Sequence, residues 1–171
     1  MAKIKVLRLS HRLGRDVRIS THVGLVSRAF GADGIIYSGQ RDKKMMESIE
    51  MVKNEWGGPF NVKYEKNWKD IIKKFDGVII HLTMYGIPIE NEIEEIRKKT
   101  SKKNVLIVVG GEKVPGEIYE EADYNIAITN QPHSEVAALG IFLHEYFHGK
   151  YRKFKDAKNE IIPQEHGKKL K

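Results

Sequence analysis

Six short runs of β-branched and other apolar residues, alternating with longer stripes of helical period, constrain this chain more than any other feature. The runs are Ile4–Leu9, Ile35–Ser38, Phe60–Tyr64, Val78–Leu82, Val105–Val109 and Tyr124–Ile128. Most are too continuously apolar to have a wet face, as parallel strands covered on both sides require. Between them, Met45, Ile49, Val52 and Trp56 share one helical stripe, which Gly57-Gly58-Pro59 ends. Asn67 is placed to cap a helix carrying Ile71, Ile72 and Phe75. Ile89, Ile93 and Ile96 form a third stripe, with Arg97-Lys98-Lys99 at the negative end of its dipole. Val136, Leu139, Leu143 and Phe147 make the last stripe before Gly149, and Ser20 or Thr21 reads as the cap of a helix through Phe30. The alternation predicts an α/β fold, a doubly wound parallel sheet with helices on both faces. One domain is expected over residues 1–149, followed by a lysine-rich extension, 150–171, that is mobile or docked on a partner.

Charge and cysteine usage narrow the function classes. Among 171 residues, 30 Lys+Arg stand against 23 Asp+Glu, a formal charge of +7 that favours a polyanionic partner. Cysteine is absent, which excludes a disulfide framework, an iron–sulfur cluster and a thiol nucleophile. The sequence has no apolar run able to span a bilayer and opens on no apolar signal core, so a soluble cytoplasmic protein without membrane contact is expected.

Ligands of open α/β sheets bind at the carboxyl ends of strands, and two loops stand out there. The first, Gly110-Gly111-Glu112-Lys113-Val114, follows a buried strand, and its paired glycines let backbone approach a ligand closely. It matches neither G-x-G-x-x-G nor a Walker A loop, and a tight strand-to-helix turn accounts for it equally well. The second, Thr129-Asn130-Gln131-Pro132-His133-Ser134-Glu135, is dense in hydrogen-bonding groups, although Ser134 or His133 also suits the cap of the last helix. Two such loops ending adjacent strands would make one pocket. A third segment is basic: Arg8, His11, Arg12, Arg15 and Arg18 surround the end of the first strand, with Asp16 as the acid among them. Arginines this close mark an exposed face, and here also a place where a phosphate-bearing substrate would lie.

One motif points elsewhere. His144-Glu145-Tyr146-Phe147-His148 satisfies H-E-x-x-H, the zinc site of many metalloproteases. The apolar stripe runs through Leu143 and Phe147, so both histidines flank the buried side, and no metal ligand is assigned. A zinc-dependent hydrolase using His144 and His148, and a non-catalytic RNA-binding module with the same basic face, are the alternatives to an enzyme of the kind described next.

The two loops together carry a resemblance. Gly110-Gly111-Glu112, Asp123-Tyr124-Asn125-Ile126-Ala127-Ile128 and Asn130…Ser134-Glu135-Val136-Ala137-Ala138 resemble the last two motifs of SPOUT RNA methyltransferases. With Leu9-Ser10-His11-Arg12…Arg15-Asp16…Arg18…Thr21-His22-Val23, the chain from Ile4 to Phe147 is most similar to archaeal tRNA ribose 2′-O-methyltransferases acting on cytidine 56 of the T-loop. The first motif departs from the family's usual Asn followed by Arg. The resemblance implies a C-terminal trefoil knot, which connection rules alone argue against, together with a homodimer and S-adenosylmethionine as cofactor. It implies cofactor contacts at Leu82, Gly110, Gly111, Glu112, Lys113 and Val114, and at Ile128, Thr129, Asn130, Gln131, Pro132, His133, Ser134 and Glu135. It also implies a catalytic arginine among Arg18, Arg15 and Arg12, with Arg18 first, Ser134 orienting cofactor or ribose, and His22 as a weaker candidate for taking a proton.

Overall fold

The computed structural model describes residues 2–111, 113–154 and 156–171. The elements run β1 (Ile4–His11), α1 (Val17–Ala29), β2 (Gly34–Gly39), α2 (Lys43–Trp56), β3 (Asn61–Tyr64), α3 (Trp68–Lys74), β4 (Val78–Pro88), α4 (Ile89–Thr100), β5 (Val105–Val109), α5 (Gly116–Glu121), β6 (Tyr124–Ala127) and α6 (Glu135–Tyr146). The strands form one sheet in the order β3-β2-β1-β5-β4-β6, with every neighbouring pair parallel. The direction of winding reverses between β1 and β5, where Arg8 stands beside Val109. At such a switch point the two flanking crossovers diverge and leave a crevice.

Alternate residues of each strand feed two cores. Val6, Ile35, Ile80, Ile107 and Ile126 pack against α1, α2, α4 and α6 through Val23, Ile49, Ile93 and Leu139. Leu7, Leu9, Ile36, Ile79, Leu106 and Val108 pack against α3 and α5 through Ile72 and Ile118. With apolar side chains on both faces, the central strands are buried end to end, as the continuous runs predict. Asn67 caps α3 and Ser134 caps α6, each accepting a backbone N–H two residues on.

Four expectations need correction. The helix after β1 starts at Val17, a turn ahead of Ser20 and Thr21, because Asp16 already closes the turn. Its carboxylate accepts the Arg12 backbone N–H at 3.0 Å and both arms of the Arg12 guanidinium. Ser20 Oγ instead meets His11 Nδ1 at 2.8 Å, and Thr21 donates to Val17 O inside the helix. Strand β4 continues past Leu82 to Pro88, and the short helix α5 went unread. Arg8, expected on an exposed face, is 1% exposed. The extension after Gly149 lies along the rim of its own α1 and α2. Arg152 pairs with Asp33 at 2.7 Å, Asp156 accepts from Gly58 N–H, and the Arg28 guanidinium stacks on Phe154. Gly57 and Gly58, both at positive φ, leave the space that Asp156 and Phe154 occupy.

No described helix is long and apolar enough to cross a membrane.

Candidate functional site

Two cavities open at the carboxyl ends of β1, β4 and β5, and both are walled by Gly111. The first, about 370 Å³, lies between the end of β4, the loop after β5 and the start of α6; Leu82, Gly110, Val114 and Glu135 are on its wall. The second, about 400 Å³, is lined by Ser10, Arg12, Arg15, Asp16 and Lys113. One is mixed in polarity, with a single acid of α6. The other is rimmed by cations. A Cβ on Gly110 would come within 2.2 Å of Val114, whereas one on Gly111 would meet only the Arg8 guanidinium, at 3.6 Å. The first glycine is required by packing; the second, common to both cavities, has room for a Cβ.

Next to Gly111 lies the Arg8 side chain. It donates through Nη1 to Leu9 O at 2.7 Å and through Nη2 to Glu135 Oε1 at 3.0 Å. Burial lowers its pKa from the ordinary arginine value, while Glu135 and Asp16 act in the opposite sense. A guanidinium stays charged even so. Arg8 thus ties the end of β1 to the first turn of α6, and Glu135 answers both the arginine and the positive end of the α6 dipole.

The far wall of the first cavity is an arch. Leu82 of β4 pairs with Ile126 of β6, the chain then leaves the ladder, and Ile87 rejoins it opposite the same Ile126. Asn130 fixes the arch from below, donating to Met84 O at 2.6 Å and to Gly86 O at 3.1 Å. The fit is close: a Cβ on Gly86 would lie 2.4 Å from Asn125 O.

His81 closes the floor. Asn125 Nδ2 donates to Tyr119 O, which aims Asn125 Oδ1 at His81 Nδ1, 2.8 Å away, and so selects the Nδ1–H tautomer. Its Nε2 is buried without a hydrogen-bond partner among the described residues, and the ring stands edge-on to Tyr119. Burial lowers the pKa of His81 and of His11, where Asp42 pulls weakly the other way. A depressed pKa means that the folded state binds fewer protons than the unfolded one just below the ordinary value of about 6.5. The stability contributed is therefore complete above that value and is lost as pH falls below it. The thermal midpoint should decline between about pH 7 and pH 5; one that holds or rises over that range would rule out two buried neutral imidazoles. Asp16, whose pKa the Arg12 hydrogen bonds lower, titrates below this window.

The expected residues divide. Leu82, Gly110, Gly111, Val114, Pro132, His133 and Glu135 line the first cavity. Lys113 and Arg15 line the second. Arg18 is exposed in the first turn of α1 and His22 on the next, and neither is among the residues lining the two cavities. Ser134 caps α6, Asn130 holds the arch, Ile128 packs on the core, and Thr129 and Gln131 are exposed. Glu112 lies outside the described residues. Sequence reasoning missed His81, Thr83, Met84, Tyr85 and Tyr119, all on the first cavity. A histidine inside an otherwise apolar strand was the available signal for the first of them.

The H-E-x-x-H motif loses its geometry here. Helix α6 ends at Tyr146, His148 follows at φ 52°, and His144 Nδ1 meets the Tyr151 hydroxyl, so the two histidines do not share a helical face. No group of three potential metal ligands occurs among the described residues.

Comparison with known proteins points to one family. The profile of a family described as tRNA ribose 2′-O-methyltransferase, aTrm56, matches residues 56–171. The tRNA (cytidine(56)-2′-O)-methyltransferase of Pyrococcus horikoshii is 53% identical over 98% of this chain and 84% of its own length. Those of Pyrococcus abyssi and Methanocaldococcus jannaschii are 57% and 51% identical, over 96% of this chain in each case and 85% and 94% of their own. Among solved structures, the A. aeolicus TrmH/SpoU tRNA modifying enzyme has a TM-score of 0.62 at 20% identity, over 86% of this chain and 75% of that one. The SpoU methyltransferase AviRb from Streptomyces viridochromogenes, in complex with AdoMet, has a TM-score of 0.61 at 14% identity; this chain spans 57% of it, with 86% of its own residues covered. These two likenesses establish the fold alone.

Proposed function

The chain belongs to the tRNA ribose 2′-O-methyltransferase family, and on that premise we propose that its two adjoining cavities are the cofactor half and the substrate half of one active site. The activity is transfer of a methyl group from S-adenosylmethionine to a ribose 2′-oxygen of tRNA, at cytidine 56. The observation that carries the division of labour is Gly111, the residue common to a mixed cavity and a cationic one.

The mixed cavity suits a molecule built from a nucleoside and an amino acid. Its volume is in the range of small-ligand sites. Glu135 brings a carboxylate for an ammonium group, the Gly110-Gly111 backbone has no Cβ to keep an adenosyl group away, and His81 Nε2 is an acceptor still to be used. When bound, S-adenosylmethionine supplies a methyl group already activated by its sulfonium centre. The chain's own task is to place a 2′-oxygen in line with that methyl and to assist loss of the hydroxyl proton. Arg12, Arg15 and Lys113 offer cations to the phosphates flanking the target ribose. A guanidinium does not give up its proton to become a base, so the catalytic arginine acts by holding phosphate and 2′-oxygen together. The O–CH3 bond forms as the S–CH3 bond breaks, S-adenosylhomocysteine leaves and the hydroxyl proton passes to water. Its place on the cationic cavity supports Arg15 for that role ahead of Arg18. Ser134 keeps a hydroxyl proton to donate while capping α6 and is assigned to orienting the ribose or cofactor.

The same reading includes a trefoil knot made where the β4 arch closes over residues 125–130, a homodimer, a T-loop target and a cytoplasmic location. Residues 1–149 form the knotted methyltransferase domain, and 150–171 its extension. Incubating the protein with unmodified tRNA and labelled S-adenosylmethionine, then mapping the methylated nucleotide, tests the reading. A ribose methyl on cytidine 56 is expected, and tRNA binding without methyl transfer would leave only an RNA-binding module.

The arginines separate by kinetics. Losing a phosphate contact weakens tRNA binding and lowers its salt dependence by about one unit of slope. Losing the catalytic arginine instead lowers the single-turnover rate by about a hundredfold with binding little changed. Arg15→Ala should show the second pattern and Arg12→Ala the first. Normal turnover by Arg15→Ala on bound tRNA would pass the role to Arg18.

A further inference from the structure

We propose that Tyr85 is the platform on which an unstacked base of the tRNA lies while its ribose is methylated, an inference that rests on the two-cavity reading above. Tyr85 stands at the tip of the β4 arch on the wall of the mixed cavity, with 75% of its surface exposed. An exposed aromatic ring is ordinary on a flexible loop, but this loop is pinned. Thr83 Oγ1 accepts the Tyr85 backbone N–H at 3.3 Å, and Asn130 holds the carbonyls of Met84 and Gly86 on either side. The ring is therefore presented to solvent from a fixed backbone, so little backbone ordering remains to oppose binding.

Charge and connectivity select the occupant. Beyond Gly111 lies the cationic cavity of Arg12, Arg15 and Lys113, which suits a phosphodiester. A nucleotide with its phosphate there and its ribose beside Gly111 has its base still to be placed. The mixed cavity is reserved for the cofactor, and Tyr119 on its wall is half-buried against His81. Tyr85 offers an open aromatic face on the same wall. Proteins that read single-stranded or splayed-out RNA stack bases on such faces, an interaction every base can make. The other candidate occupant is a second copy of this chain, since the neighbouring Ile87 is also exposed, and the test separates the two.

Wild type, Tyr85→Phe and Tyr85→Ala are compared as full chains. Each is titrated with a tRNA transcript and with the same tRNA made abasic at nucleotide 56, and S-adenosylhomocysteine affinity is measured by calorimetry. Wild type and Tyr85→Phe should lose roughly tenfold or more in affinity on the abasic tRNA. Tyr85→Ala should bind intact and abasic tRNA equally weakly, with its thermal midpoint unchanged and S-adenosylhomocysteine still bound. Wild-type affinity and discrimination in Tyr85→Ala would overturn the proposal. So would equal binding of both tRNAs by wild type, or a dimer that Tyr85→Ala converts to monomer on gel filtration, which would give the ring to a contact between copies. A wild-type protein that binds no S-adenosylhomocysteine would instead refute the cavity assignment beneath it.

Discussion

Glu135→Ala should remove about 3–5 kcal/mol of folding stability, because it strands a charge that cannot be neutralised. Arg8 is almost wholly buried, and the nearest carboxylate to its Nη2 is Glu135, at 3.0 Å. With that partner gone, Leu9 O still accepts one N–H, but a guanidinium remains charged and out of water. Loss of an acid from the first turn of α6 adds only about 0.3–1 kcal/mol to this. For a chain of this size the total corresponds to a fall of roughly 10 °C in thermal midpoint. Replacing both residues, Arg8→Met with Glu135→Met, should recover most of the loss, since an apolar pair of similar volume leaves nothing uncompensated. A single variant that melts within about 2 °C of wild type would show that the pair holds nothing together.

Gly86→Ala should be comparably damaging by a different route. The added methyl would sit 2.4 Å from Asn125 O and 2.6 Å from Ile126 N, which are backbone atoms that no rotamer change can move aside. Overpacking against flexible side chains costs about 1–3 kcal/mol, and a clash with a paired strand belongs at or above the upper end. The arch would have to lift off β6, breaking the hydrogen bonds from Asn130 and opening one wall of the mixed cavity. Both thermal stability and S-adenosylhomocysteine affinity should fall, the latter beyond calorimetric detection. Normal affinity in a destabilised Gly86→Ala protein would mean that the arch is not part of the cofactor site.

The strands, their parallel pairing and five of the six helices were legible in the chain because they follow from periodicity, and periodicity is local. The Gly110–Val114 loop was legible as well, since paired glycines after a buried strand announce close backbone approach. What escaped is what depends on distant partners. Thr83–Pro88 has no strand pattern; it is held by Asn130 and by the empty space at Gly86, neither visible until β6 lies alongside. Arg8 reads as surface until Glu135 is known to lie beside it. Asp16 starts α1 ahead of the likelier-looking Ser20, because a bidentate arginine outcompetes a lone hydroxyl. His81 carries a tautomer chosen by Asn125, a residue on another strand.

The sheet order sets a sequence of events for the growing polypeptide. Strands β1, β2 and β3 can pair as they leave the ribosome, but the other edge of β1 stays open until β5 has been made, and β4 cannot join the sheet before it. Through that interval the Arg8 guanidinium has neither Gly111 above it nor Glu135 beside it and remains hydrated. It gives up its water only when α6, the last helix, arrives. Burial of this arginine thus marks the docking of α6: a product truncated before α6 would keep a charge at the centre of its sheet edge and a reason not to close.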